Sequence, residues 1–223
     1  MNAPNLSLLE ARVLGVLVEK QRSVPDTYPM SINALVAGCN QKTSRSPIMD
    51  VTEADVLQAL DGLNARSLIV ESSGGRVMRY AHNAERVLDV PTQSVALLAT
   101  LALRGPQTAA ELRSNSERLH RFADVSAVEG FLNELAERAS GALVAELPRV
   151  PGTRETRWMQ LLTGPPPESP GPSNASAASA AHGAADLARI AAELAALRGE
   201  VAELRATVDA LRPHRQSPPS GDE

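Results

Sequence analysis

Aliphatic residues return at intervals of three and four from the start of the chain. Leu9, Val13 and Val16/Leu17 share one helical face. Ser7 opens this helix, and Glu10 three residues on predicts a capping box, each side chain satisfying a free backbone N–H of the other. Pro25 and Pro29 close it. Ser31 predicts the cap of a second, short helix carrying Ile32, Leu35 and Val36, ended by Gly38 and the polar stretch Asn40 to Ser46, with Pro47 confirming the break. Thr52 begins a third helix, with Val56, Leu60 and Leu63 on one face. The period then changes. Leu68 to Glu71 reads as a short strand, Ser72-Ser-Gly-Gly75 as a turn that tolerates positive φ, and Arg76 to Tyr80 as the returning strand.

The same order recurs. Thr92 starts a helix with Val95, Leu98 and Leu101/Ala102 inside, and Gly105-Pro106 stops it. Thr108 with Glu111, and Ser126 with Glu129, predict two further capping boxes, the second ahead of Val128, Phe131/Leu132 and Leu135. Gly141 ends that helix; Leu143 to Leu147 and Glu155 to Leu162 read as strands around a loop from Pro148 to Arg154. Val56, Leu60, Leu63 and Arg66 align on Val128, Leu132, Leu135 and Arg138 with a constant offset of 72. Three helices followed by a hairpin, twice, is the winged-helix plan. The expected fold class is mainly α with small β-hairpins: tandem winged-helix (helix-turn-helix type) domains at 6–90 and 91–163, each burying its own small core, plus a C-terminal coiled-coil helix.

From Gly164 the composition shifts to Pro, Ser, Ala and Gly, too polar to offset the entropy of ordering, so residues 164–185 are expected to be a disordered linker spanning roughly 25 Å. Leu187, Ile190, Leu194, Leu197, Val201, Leu204, Val208 and Leu211 then alternate by three and four, an unbroken heptad. Positions a are Leu187, Leu194, Val201 and Val208, and positions d are Ile190, Leu197, Leu204 and Leu211; Val at a with Leu at d favours two parallel strands. Glu193 and Glu200 fall at g and Arg198 and Arg205 at e, where a parallel partner pairs them. Residues 186–212 are therefore expected to form a weak parallel homodimer, followed by a disordered tail at 213–223.

Composition narrows the choices. Aromatics make up only 2% of the chain, so the core must be aliphatic. The net charge is −4, but residues 1–90 carry nine Lys/Arg against ten Asp/Glu and residues 91–163 carry eight against eight, so the acidity sits in the tail. A domain held to DNA mainly through phosphates usually shows a basic balance. Cys39 is the single cysteine, which excludes a disulfide within the chain and a thiolate zinc site. No signal peptide is visible at Met1 to Asn5, and the longest nearly apolar run, Val95 to Leu103, falls far short of the ~20 residues a membrane span needs, so a cytoplasmic protein without membrane attachment is expected.

Catalytic signatures are missing from the pattern. Gly38-Cys-Asn-Gln-Lys-Thr43 lacks the glycines of a phosphate loop, having Val36 and Gln41 where they are needed. His82, His120, His182 and His214 share no metal-ligand spacing. No catalytic, metal or cofactor site is expected, which makes the chain a non-enzymatic protein. The positive charges are placed more suggestively: Lys42 and Arg45 precede the first third helix, Arg76 and Arg79 sit on the first wing, and Arg149 and Arg154 on the second. Arg113, Arg118 and Arg121 cluster ahead of the second third helix. Positive wings suit phosphate contacts with little sequence reading. Against that, the third helices begin Thr52-Glu-Ala-Asp55 and Ser126-Ala-Val-Glu129, whose carboxylates repel phosphate.

Several motifs occur together in order: Leu9-Glu-Ala-Arg-Val13, Glu19-Lys-Gln21, Tyr28-Pro29, Cys39-Asn-Gln-Lys-Thr43 with Arg45 and Pro47-Ile-Met49, Leu103-Arg-Gly105, Gln107-Thr108, Glu111-Leu-Arg113 and Arg154-Glu-Thr-Arg-Trp158. Over roughly residues 6–163 the chain resembles the bacterial YceH family. The resemblance implies tandem winged-helix domains and transfers no catalytic residue. Two functions from different classes are compatible with this: a DNA-associated regulator with largely phosphate-mediated contacts, which is the commonest use of the fold, or a protein-interaction scaffold docking through Asn40 to Met49. The expected partners are duplex DNA or another protein, and a second copy through the tail.

Overall fold

The computed structural model describes residues 4–73, 77–149 and 155–165. These belong to the first of two units into which the chain divides, Met1–Pro167. The heptad positions Leu187 to Leu211 and nearly all of the Pro-rich segment lie outside the described residues.

The first half runs α1 (Leu8–Ser23), a 3₁₀ turn (Pro25–Thr27), α2 (Ile32–Cys39), α3 (Glu53–Ala65), β1 (Ile69–Ser72) and β2 (Arg79–His82). A connecting helix, α4 (Ala84–Leu88), leads to α5 (Thr92–Arg104), α6 (Ala109–Asn115), α7 (Val125–Ala136), β3 (Val144–Glu146) and β4 (Trp158–Gln160). The protein is thus mainly helical with two small antiparallel hairpins.

Local sequence signals explain most helix starts. Ser7 and Glu10 form the capping box of α1, Thr52 and Asp55 that of α3, and Thr108 and Glu111 that of α6. Ser31 caps α2. One cap differs from expectation: α7 starts at Asp124, whose Oδ1 accepts from the Ala127 amide at 2.8 Å. Ser126 and Glu129 therefore lie inside α7 and form no box; an upstream carboxylate in extended backbone took the role first. The strands also shift. Ile69 pairs with His82 and Glu71 with Tyr80, because the Leu68 amide is occupied closing α3, donating to Leu63 O at 3.0 Å.

The two halves repeat in hydrogen bonds as well as in order. The Leu68 amide donates to Leu63 O, and the Leu143 amide to Leu135 O at 2.9 Å. Asn83 N donates to Leu68 O and Leu161 N to Leu143 O. A single extended residue before each second helix bridges the returning strand, Met30 to Tyr80 and Gln107 to Trp158. The aligned positions Val56, Leu60 and Leu63, and Val128, Leu132 and Leu135, are all fully buried.

The cores, however, are not separate. Buried residues from both halves form one continuous cluster, which corrects the expectation of two independent cores. The reason lies in α1. Every residue from Glu10 to Val18 is buried, so this helix packs on all sides rather than along one stripe. Val13, Val16 and Leu17 are fully buried, and Ala11, Leu14 and Gly15 line a narrow apolar gap together with Leu98, Ala99 and Ala102 of α5 and with Leu162. At Gly15 an added Cβ would lie 3.0 Å from Leu103 Cγ and 3.4 Å from Ala99 O, so α1 and α5 approach closely where no side chain intervenes. The unpredicted α4 seals this seam with buried Ala84 and Leu88. The Leu6 amide donates to Leu162 O at 2.7 Å, pinning the first described residues to the last turn of the unit.

Candidate contact surface at the α2–α3 loop and the hairpins

The loop from Asn40 to Thr52 joins α2 to α3, and two arginines organise it. Arg12 rises from α1 into the interior, where Nη1 donates to Cys39 O at 3.2 Å and Nη2 to Pro47 O at 2.7 Å. Arg45 turns inward from the loop itself, and its Nε donates to Gly38 O at 3.1 Å. Both guanidinium groups thus bind carbonyls at the C-terminus of α2, which lack helical partners and carry the negative end of the helix dipole. Arg45 also forms a forked pair with Glu19, at 3.1 Å through Nη1 and 2.6 Å through Nη2, and donates to Gln41 Oε1. Asn40 closes the far side with a reciprocal pair on Val51, donating to its carbonyl at 2.9 Å and accepting from its amide at 2.8 Å. The second half joins in: Arg104 Nη2 donates to Ser44 Oγ and the Ser46 amide to Leu103 O, both at 2.8 Å.

These contacts set the charge states. Burial alone would raise the Glu19 carboxyl, but the hydrogen bond and charge of Arg45 outweigh it and hold Glu19 below the usual range. Burial, then the neighbouring Arg45, lowers the Arg12 guanidinium from its ordinary value. The Cys39 thiol is pushed up to about 11 by burial, despite nearby Arg12 and Arg45, so it is inert packing rather than a nucleophile.

The expected contact residues are therefore divided. Lys42 stands exposed on the loop. Arg45 does not: its side chain is 0% exposed and committed to Glu19, so its expected role as a surface contact is corrected to a structural one. Arg79 is exposed on β2, with Nη1 donating to Pro29 O at 3.0 Å. Arg149 is exposed after β3, beside a cleft shared with Glu129 and Trp158. Arg76 and Arg154 lie outside the described residues. Of the cluster ahead of α7, Arg113 donates to Ala123 O and Arg121 pairs with Glu117, while Arg118 is exposed.

The third helices are acidic outside. The exposed residues of α3 include Glu53, Asp55 and Asp61, with Leu57 41% exposed among them. Those of α7 include Glu129 and Glu134. Neither helix contains a Lys or Arg within its span. Sequence reading missed Arg12 and Glu19 as the anchors of the loop. Their signal was an arginine set in the apolar run Ala11-Arg-Val-Leu14, where a charge is accommodated only beside acceptors; the Cys39 and Pro47 carbonyls take its two Nη groups, while its buried Nε has no partner.

Among the described residues no group of three or more His, Cys, Asp or Glu is placed to hold a metal ion, and no helix is long and apolar enough to cross a membrane. The described residues place the molecule in the class of mainly helical proteins with small antiparallel hairpins. A sequence model of the family described as "Protein of unknown function, DUF480" matches residues 6–153, and the chain belongs to that family. It is 64% identical over 165 residues to a "UPF0502 protein" of Dechloromonas aromatica (strain RCB), covering 74% of this chain and 78% of that one. It is 66% identical over 160 residues to a "UPF0502 protein" of Leptothrix cholodnii, covering 72% of each. The family anticipated from the sequence motifs is the one found.

Proposed function

We propose that the body is a non-enzymatic protein-docking module built from two winged-helix halves, taking a partner with basic groups against the outer faces of α3 and α7. The winged-helix reading is supported by the repeated order of three helices and a hairpin, and by the bridges of Met30 to Tyr80 and Gln107 to Trp158, which supply the short third strand of such a sheet. The docking reading rests on one observation: both third helices expose carboxylates and contain no cation. In a groove-reading winged helix that element meets phosphates and base edges, where cations dominate affinity. Two further features point the same way. The α2–α3 connection runs from Asn40 to Thr52, much longer than the roughly 3–4-residue turn of a DNA-binding helix-turn-helix. Exposed Leu57 and Ile48, at 41% and 61%, offer apolar contact on α3 and on the loop that precedes it.

Exposed Lys42, Arg79 and Arg149 keep a second reading in view, a regulator touching duplex DNA through its hairpins. In either case the heptad from Leu187 to Leu211 supports a parallel homodimer that doubles the number of surfaces and raises avidity. Sedimentation of the full chain and of the chain truncated after Thr163 tests the dimer: a dimeric mass is expected for the first and a monomeric mass for the second, and the same oligomeric state in both removes it.

The docking proposal is tested by placing a photo-crosslinking amino acid at Leu57 in the full chain in cells, with Leu8, 62% exposed on α1, as the reference position. A discrete protein adduct is expected from Leu57 and not from Leu8, and it should disappear with Glu53→Lys and Asp61→Lys. No adduct at Leu57, or one indifferent to charge reversal, would overturn the proposal.

A further inference from the structure

We infer that the cleft between the C-terminal end of α3, α4 and the α7–β3 loop is a binding site for a small organic carboxylate with an apolar body. The cleft holds about 460 Å³, within the roughly 300–1,000 Å³ typical of small-molecule sites. Its walls are apolar, from Leu68, Val87 and Leu143, and three guanidinium groups stand on them: Arg66, Arg86 and Arg138. Asp89 is the one acidic residue in the lining, so the cleft is net positive in a chain whose net charge is −4.

The three arginines are not equally available. Arg66 is neutralised by Glu10 at 3.1 Å. Arg138 has no carboxylate partner among the described residues. Its Nη groups donate to Leu88 O at 2.7 Å, Asp89 O at 3.0 Å and Ser140 Oγ at 2.8 Å, and its buried Nε–H has no acceptor. Arg86 is exposed and makes no hydrogen bond or ion pair among the described residues, although Glu85 beside it pairs with Arg22. Two positive charges without an ion-pair partner among the described residues therefore face one opening whose walls are aliphatic, with Asp89 as its one acidic lining residue. A carboxylate matches the planar donor fork of Arg86, the field of Arg138 adds to it, and an apolar body removes the wall residues from water. Leu68 belongs to the first half, Leu143 to the second, and α4 joins them, so an occupant braces the junction and binds the folded state alone.

Calorimetric titration of the full-length chain with naphthoate, and with naphthylmethanol as the neutral analogue of the same shape, tests this inference. Saturable one-to-one binding of naphthoate is expected, with the neutral analogue at least about tenfold weaker, the ratio that loss of one charge-assisted hydrogen bond predicts. Arg86→Glu and Arg86→Gln should each weaken naphthoate by at least about tenfold, since the side chain has no folding partner to lose. Arg118→Glu, at an exposed position outside the cleft, should leave the affinity unchanged. No saturable heat at millimolar naphthoate, equal affinity for the neutral analogue, or unchanged affinity in both Arg86 variants would each overturn it.

Discussion

A charged side chain in an aliphatic core is tolerated only when its partners are built around it, as they are around Arg45. Its pair with Glu19 joins the loop to α1. Arg45→Ala leaves half-buried Glu19 with Lys20, 3.4 Å away, as its remaining counter-ion and frees the Gly38 carbonyl, so a loss of about 2–3 kcal/mol is expected in denaturant unfolding. Lys42→Glu, three residues away and exposed, should stay within about 0.5 kcal/mol. Of the two loop cations, Lys42 is therefore the one through which surface function is probed. His82 makes a second prediction at this scale. Its Nε2 lies 2.7 Å from Gln21 Oε1, its own amide donates to Tyr28 Oη, and burial, then Arg22, pushes the imidazole down to about 4. The folded state thus holds the neutral ring where the unfolded chain begins to protonate near 6.5. Stability from this residue is intact above about pH 6.5 and is lost as pH falls toward 4, by roughly 2–3 kcal/mol. His82→Gln should flatten that part of the stability–pH curve; an unchanged slope would show that other groups carry it.

At the scale of elements, the sequence disclosed the capped helices because caps are local chemistry: Ser7/Glu10 and Thr108/Glu111 sit where their spacing predicts, and Thr52 opens α3 as expected, with Asp55 completing a box that the sequence reading did not name. The α7 cap escapes a reading by spacing because Asp124 and Ser126 are both good caps and only the backbone conformation decides between them. The helix α4 escapes it because five residues contain too little periodicity to register. The burial of Arg45 is hidden because exposure depends on the tertiary position of Glu19, which lies 26 residues away in sequence. The glycines offer a sharper test of packing at this level. At Gly38 an added Cβ would sit 2.6 Å from Val16 Cγ1, so Gly38→Ala should cost about 1–3 kcal/mol by overpacking. Gly130 in α7 has nothing within 4 Å, so Gly130→Ala should instead stabilise by about 0.5–1 kcal/mol through helix propensity. Thermal melts of the two variants should shift in opposite directions.

For the whole molecule, the repeat was legible and the merger was not. The offset of 72 finds two equivalent third helices, yet no pairwise alignment reveals that α1 is buried all round and shared with α5. The continuous run Val13-Leu-Gly-Val-Leu-Val18 was the available hint, since a helix with one wet face rarely carries it. Because the core is continuous, fragments 1–90 and 91–163 should each fail to fold alone, while the intact body unfolds in one cooperative transition by calorimetry. Two resolved transitions would argue for independent halves. The acidic third helices make the decisive functional claim, that the repeated module meets protein rather than the major groove. Fluorescence-anisotropy titration of the full chain against labelled random duplex DNA at low ionic strength tests that claim most directly. A flat titration is predicted, unchanged by Arg79→Glu. Saturable binding that weakens steeply with added salt and is lost in Arg79→Glu would contradict it.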